Sequence, residues 1–350
     1  HGLDKNGQLY KANYFEFHRD EDVIKLADDP DYDQTKFEEK LEIKGDNDHT
    51  KLIAMLNALN DYSVPMSDIL GKYFDTENLA YWMAFQLLTG NIDTQSRNMY
   101  LYSPTNSDTF YVLDWDNDGM LMRKEYEIKQ RSDGKSWENG ISNYWGNMLF
   151  SRCLQTKSFR TALDKAIQDE YKYMNANRIN SMVKHYRSIT EQYVWKMPDS
   201  MHEGVTKSQY DVIANQLHSE IEQNYQTYQT GFNKPMPFYI GKPTSANGKL
   251  KLNWDVAYDF NDEDLRYAVT VSKDYAGDDV VFSQRDVVLP EAVMDMPGEG
   301  QYFIKVSVRN ASGETQDAFD YYITNGNKIY GTKCFYVKAG GSIVEDANVQ

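Results

Sequence analysis

Near residue 232 the hydrophobic pattern of this chain changes period, and that change limits the fold more than any other feature. Before it, apolar residues recur at three- and four-residue spacing, as in Leu52, Met55, Leu56 and Leu59, and again in Leu79, Trp82, Met83, Phe85, Leu87 and Leu88. Such spacing lays one apolar face along a helix. Asp75 is placed to cap the second group and Gly90 to stop it, so a helix is predicted over 76–89. Stretches 144–155, 157–174, 176–197 and 206–229 also read as helices, with few Gly or Pro and with Gln, Glu, Lys and Arg on the outer faces. Two shorter runs, Asn98–Tyr102 and Thr109–Trp115, flank the turn-rich Ser103–Asp108 and predict a hairpin. Gly7–Ala12 and Phe37–Ile43 are further strand candidates. Beyond Gly231–Pro237 the pattern becomes short and alternating, at 250–254, 266–272, 279–282, 301–308 and 318–324, broken by Asn-Gly, Pro-Gly and Ser-Gly pairs. That reads as an all-β sandwich. The expectation is an α+β chain with a mainly helical domain over 1–231, a sandwich over 236–338 and a linker or frayed tail over 339–350.

Charge excludes some functions. Lys and Arg number 37 against 53 Asp and Glu, a net −16. A surface of that sign repels phosphate backbones, so nucleic acid is not an expected partner. No apolar run reaches the ~18 residues a spanning helix needs. Cys153 and Cys334 stand far apart with no CxxC pair, so neither a disulfide framework nor a Cys-based zinc site is indicated. The chain opens at His1 without a Met, so a leader or more is expected to have preceded it. Composition leaves oligomeric state open.

Oxygen ligands gather in one stretch, Gly90-Asn-Ile-Asp93-Thr-Gln-Ser-Arg-Asn98, followed by Asp114-Trp-Asp116-Asn-Asp118-Gly119. An Asp with an Asn five positions later, on a loop between a buried helix and a hairpin, is the pattern that protein kinases use for a catalytic base and a metal ligand. Phosphoryl transfer needs this set, because a divalent ion must be held by hard oxygens while a carboxylate aligns the acceptor hydroxyl. His18-Arg19-Asp20 copies the kinase His-Arg-Asp triplet, but Lys25 stands where the Asn belongs, and the surroundings read as the start of an exposed helix. Asp114 to Glu125 satisfies the calcium-loop pattern D-x-[DN]-x-[DN]-G-x5-E. An EF-hand requires a helix on each side, whereas Thr109–Leu113 reads as a strand. A calcium site of another kind stays open. His185, His202 and His218 lack ligand spacing, and no G-x-S-x-G turn is present.

Taken together, Leu9-Tyr10-Lys11, the helices over 52–59 and 76–89, Asn91-x-Asp93-x4-Asn98-x-Tyr100-Leu101-Tyr102, Trp115-Asp116-x-Asp118, Met148-Leu149-Phe150 and Phe159-Arg160 resemble the CotH (spore coat protein H) kinase family of secreted atypical kinases. The resemblance covers most of 7–230. It implies a protein-kinase-like C-lobe and transfer of the ATP γ-phosphate to Ser or Thr of extracellular or spore-coat proteins, at the cell surface, in the coat or after secretion. Asp93 would be the catalytic aspartate, Asn98 and Asp116 would hold nucleotide and metal, and Asp118 would add a metal carboxylate; the implied cofactors are ATP and Mg²⁺, with Mn²⁺ or Ca²⁺ as alternatives. Asp114 stands where an apolar or proline residue is expected and reads as a solvated carboxylate or as one that supports the ligand-bearing residues without touching the metal, Gln95 stands where many relatives carry His, and Lys11 reads as a strand residue. Trp115 and Met120 read as packing residues. The family's upstream lysine strand is missing from this chain, which implies an inactive fragment with little or no kinase activity, the full-length protein being the expected atypical kinase. The alternative is a non-catalytic surface or coat assembly protein with a divalent-metal site. Over 236–338, Trp254, Tyr267 and Gly300-Gln-Tyr302 leading into Val306, Val308 and Asn310 resemble a fibronectin type III or related immunoglobulin-like module.

Overall fold

The computed structural model describes residues 2–129, 136–202 and 204–346. It mixes helix and sheet, with helices in the N-terminal part and a β-rich C-terminal region. Two compact units form, His1–Asp133 with Asn143–Tyr228, and Gly134–Ser142 with Gln229–Gln350.

In the first unit the elements run β1 (Gln8–Ala12), α1 (Gln34–Glu38), β2 (Leu41–Ile43), α2 (Thr50–Asn60), α3 (Met66–Tyr73), α4 (Thr76–Thr89), β3 (Met99–Ser103), β4 (Tyr111–Asp114), α5 (Arg123–Ile128), α6 (Met148–Gln155), α7 (Lys157–Tyr173), α8 (Ala176–Val194) and α9 (Lys207–Gly231). The strands make one antiparallel sheet in the order β2-β1-β3-β4. The expected hairpin is β3-β4, and the expected helices appear with ends shifted by a few residues. Two local readings need correction. Phe37 lies on α1, because Asp33 accepts the free N–H groups of Thr35 and Lys36 and starts a helical turn there, leaving only Leu41–Ile43 to pair as a strand. Residues 18–20 do not begin a helix: Arg19 is drawn to the end of α2, donating from Nε to Asn57 Oδ1 and from Nη1 to the Ile24 carbonyl.

α4 organises this unit. Leu79, Met83, Leu87 and Leu88 are fully or almost fully enclosed, and Trp82 stacks on Phe150 of α6 with ring centroids 5.4 Å apart. Burial of each such side chain contributes about 1.5–3 kcal/mol. Phe159, Leu163, Ala166 and Ile167 of α7 are buried with them. The helix starts where Asp75 Oδ1 accepts the Asn78 N–H at 2.9 Å, and it stops at Gly90, whose φ of 62° and ψ of 33° suit a residue without a Cβ. Gln86 and Thr89 are polar residues buried on this helix; Thr89 donates to the Phe85 carbonyl within it, whereas Gln86 must find partners elsewhere in the fold.

The second unit contains β5 (Thr244–Ala246), β6 (Lys249–Asn253), β7 (Arg266–Ser272), β8 (Val280–Val287), β9 (Glu291–Asp295), β10 (Gly300–Arg309), β11 (Thr315–Asp317), β12 (Tyr321–Thr324), β13 (Asn327–Tyr330), β14 (Thr332–Val337) and β15 (Ile343–Glu345). One antiparallel sheet runs β5-β6-β9 and the other β15-β14-β10-β7-β8, with β11 also on β10 and β12-β13 a separate hairpin. Inward residues of both sheets share a core, with Leu250, Leu252 and Trp254 from one and Val269, Ile304 and Phe335 from the other. Residues 343–345, read from sequence as part of the tail, pair as β15 with β14; residues 347–350 lie outside the described residues. The segment after residue 135 joins this unit: Glu138 accepts from Lys328 Nζ and from the Tyr330 hydroxyl, each at 2.6 Å.

Candidate functional site

The site is built at the open end of the β3-β4 hairpin. Met99 and Asp114 are its last paired residues, so the chain enters β3 from Asn98 and leaves β4 toward Asp116 on adjacent strands. Both residues turn sharply there, with φ of 57° at Asn98 and 55° at Asp116, in the left-handed region that Asn and Asp tolerate better than other residues with a Cβ. Asp93 lies on the turn that follows Gly90.

Asp93 and Asn98 are brought together directly. Asn98 Nδ2 donates to Asp93 Oδ2 at 3.0 Å and to the Asp93 carbonyl at 3.1 Å. That geometry leaves Asn98 Oδ1, the atom a hard cation would use, without a hydrogen bond among the described residues. The other oxygen of Asp93 belongs to Arg97, whose Nε donates to Oδ1 at 2.7 Å while Nη2 makes a second contact with the same atom. Arg97 Nη1 donates in turn to the Tyr14 hydroxyl at 2.7 Å. Sequence reading passed over Arg97, although an Arg four residues after an Asp on a tight turn is placed to reach back to it.

The loop carrying Asp116 and Asp118 packs against the turn carrying Asp93. A Cβ at Gly119 would stand 3.0 Å from Asn91 Oδ1 and 3.8 Å from Asp93 Cβ, so these two loops approach closely and a side chain there would press on Asn91. The Leu121 N–H donates to the Thr89 carbonyl at 2.8 Å, and Asn91 Nδ2 donates to Asn117 Oδ1 at 3.3 Å. Gln86 Nε2 donates to Asp114 Oδ1 at 2.8 Å, which anchors the end of β4 to α4. Asp116 and Asp118 are exposed. Among the described residues no group of three or more His, Cys, Asp or Glu side chains comes together as a metal site.

Asp114 is exposed as a residue, yet its carboxyl is engaged by Gln86. Although the residue keeps much of its surface open, loss of water around its carboxyl pushes the pKa above the usual range, with the Gln86 hydrogen bond opposing. Glu170 of α7 is pushed up to about 8, first by burial and then by the Asp114 charge. From behind, α9 braces the same loops. Glu220 accepts the N–H groups of Arg123 and Lys124, at 3.1 and 2.8 Å, and so caps α5; Asn224 Nδ2 donates to the Leu88 carbonyl at 3.0 Å in the last turn of α4. Burial raises the Glu220 pKa, and the two backbone donors oppose it.

The remaining sequence candidates find plain positions. Asp114 ends a strand and α5 begins only at Arg123, so 114–125 lacks the leading helix of an EF-hand. Lys11 is on β1, 3.6 Å from Glu42, with Nζ 5.7 Å from the Trp115 ring centroid. Trp115 and Met120, read as packing residues, are partly exposed, at 45% and 36%. Both cysteines are free and buried. No helix is long and apolar enough to cross a membrane among the described residues.

A buried helix, a tight turn bearing Asp93, and a hairpin joining Asn98 to an acidic loop are the parts on which a family comparison can be judged. The chain belongs to the CotH kinase protein family, whose model matches residues 1–228. A search among curated proteins returns no match.

Proposed function

We propose that residues 1–228 form a CotH-type protein kinase domain, related to the C-lobe of protein kinases, that transfers the γ-phosphate of ATP to Ser or Thr hydroxyls of extracellular or coat proteins. Family membership supports the reaction class. The observation that carries the residue assignment is the Asn98 Nδ2 to Asp93 Oδ2 hydrogen bond at 3.0 Å, made at the end of the hairpin whose other strand runs into Asp116.

In this reading Arg97 fixes Asp93 Oδ1, and Oδ2 faces the acceptor hydroxyl, orients its lone pair toward the γ-phosphorus and takes its proton as ADP departs. Asn98 Oδ1 and the carboxylates of Asp116 and Asp118 would hold the metal. An oxygen-only set with two carboxylates and an amide fits Mg²⁺ or Mn²⁺, since Mg²⁺ takes one or two carboxylates and completes its shell with phosphate oxygens and water. When bound, the ion would neutralise phosphate charge. In this reading, the packing of the acidic loop on the Asp93 turn at Gly119 would let both sets of oxygens serve one nucleotide.

The second unit is read as a fibronectin III-like spacer or adhesion module. Support comes from the strand orders β5-β6-β9 and β14-β10-β7-β8, and from Tyr302 near the start of β10, whose hydroxyl donates to the Gly298 carbonyl at 2.9 Å as in a tyrosine corner.

The test is incorporation of labelled phosphate from ATP and Mg²⁺ by the full-length protein, into itself and into a generic Ser/Thr acceptor protein. Asp93→Asn should lower it by about 10²–10⁴-fold with unfolding temperature nearly unchanged, the range for loss of a positioned base. Equal labelling by wild type and Asp93→Asn would overturn the assignment and favour a metal-binding assembly protein.

A further inference from the structure

The first unit holds an apolar cavity of about 620 Å³ that the phosphotransfer reading does not use. α8 explains why it exists. The helix buries no residue completely, yet Ile179, Met182, Val183 and Tyr186 follow helical spacing along one face and line the cavity. The opposite wall is Ala214, Leu217 and Ile221 of α9, and Phe85 with Leu121 adds a further apolar wall. The cavity opens to solvent where Met182 and Tyr186 are 45% and 58% exposed, so its walls hold apolar surface in water that an apolar ligand would cover. Its volume is in the range of pockets that enclose a small organic ligand.

Charge at the rim indicates the head group. Arg187 is already held by Glu191 and Asp211. Arg178 lines the cavity, is exposed, lies with its guanidinium carbon 3.6 Å from the centroid of the Tyr173 ring, and has no carboxylate partner among the described residues. The acid in the wall, Glu170, has a buried Oε2 with no hydrogen-bond partner and a pKa pushed up to about 8, so it is mostly neutral at pH 7 and does not repel an anion.

We propose that this cavity binds a long-chain aliphatic carboxylate, its chain laid along the apolar face of α8 and its carboxylate at the rim beside Arg178. The site is independent of the phosphotransfer assignment and stands or falls by its own measurement. Met120 and Leu121, just beyond Asp118, also line the cavity, so a bound chain would rest against the end of the acidic loop.

The experiment is calorimetric titration of the full chain with palmitate below its micelle concentration, compared with laurate, octanoate, hexadecanol and hexadecylamine. Palmitate should bind saturably at one site, with affinity falling about fourfold per methylene removed. Ala214→Trp should abolish binding by filling the cavity. The exposed change Arg178→Glu should leave folding intact and weaken palmitate about fivefold while leaving hexadecanol unchanged. The proposal is overturned by no saturable binding, by unchanged binding in folded Ala214→Trp, by hexadecylamine binding tighter than palmitate, or by a dimer that covers α8 and that palmitate does not disperse.

Discussion

Gly90 is the point where the buried helix α4 hands over to the turn that carries Asp93, and replacing it with Ala gives a prediction with two separable costs. The backbone is left-handed there, φ 62°, which costs a residue with a Cβ about 1–2 kcal/mol. The new Cβ would also stand 2.7 Å from Asn224 Nδ2, so Asn224 must move, and its hydrogen bond to the Leu88 carbonyl breaks. Losing that bond at a buried site costs about 1–3 kcal/mol. The single variant should therefore lose about 2–5 kcal/mol, and for a unit of this size about 3 kcal/mol lowers the unfolding temperature by roughly 6–12 °C. Asn224→Ala alone should lose about 1–3 kcal/mol for the same bond, and further stability for the hydrogen bond that Arg123 Nη2 donates to Asn224 Oδ1 at 3.1 Å. In the double variant the bond to Leu88 is lost once instead of twice, so the combined cost should fall short of the sum by about 1–3 kcal/mol. Differential scanning calorimetry on wild type, both singles and the double measures this directly. Additivity within about 0.5 kcal/mol would refute the claim that Asn224 sets the space above Gly90. The same displacement should reduce phosphate transfer, because the turn that begins at Gly90 carries Asp93.

Three further predictions concern stability. His49 is fully buried between Tyr10 and Tyr32, accepting or donating at 2.9 Å and 3.3 Å, and burial lowers its pKa, with Asp48 and Asp46 opposing. The unfolded chain then binds the proton more readily, so stability should fall as pH drops below about 6.5, and pH-dependent melts of His49→Gln should lose that slope. Glu170 acts in the opposite sense: with its pKa near 8, the folded state keeps a proton that the unfolded state has released, so stability should fall between pH 4.5 and 8, and Glu170→Gln should melt higher than wild type at pH 8.5. In the second unit, Tyr302→Phe removes the hydroxyl that donates to Gly298 and should cost about 0.5–1.5 kcal/mol by calorimetry, confined to that unit's transition.

What could be read from the sequence was local, and what was missed was not. The α4 boundaries were legible because both signals sit at the ends of the helix itself: an Asp that accepts the Asn78 N–H and a glycine able to turn left-handed. The hairpin was legible from alternation and a turn-rich gap of a few residues. Asp93, Asn98 and Asp116 were nominated through the family resemblance, on a motif that stays local because the hairpin between Asn98 and Asp116 is short. Glu220 had no such signal. It caps α5 from 96 and 97 positions away, and in its own helix it reads as one more outward acid. Gln86 likewise drew no reading from periodicity, whereas α4 is buried almost all round and the amide is spent on Asp114 and, more weakly, Asn117. These two misses have one physical cause: a polar residue is forced inward only when the fold supplies a partner there, and periodicity records which face is apolar without recording who waits on the other side. The consequence for the site is specific. The groups proposed for phosphate transfer stand near the surface on short loops, but their placement depends on buried amides and one buried carboxylate contributed by α4 and α9. Substitutions at Gln86, Asn224 or Glu220 should therefore disturb the site's geometry as strongly as substitutions within the exposed acidic loop, even though none of the three lies in the motif that marks the site.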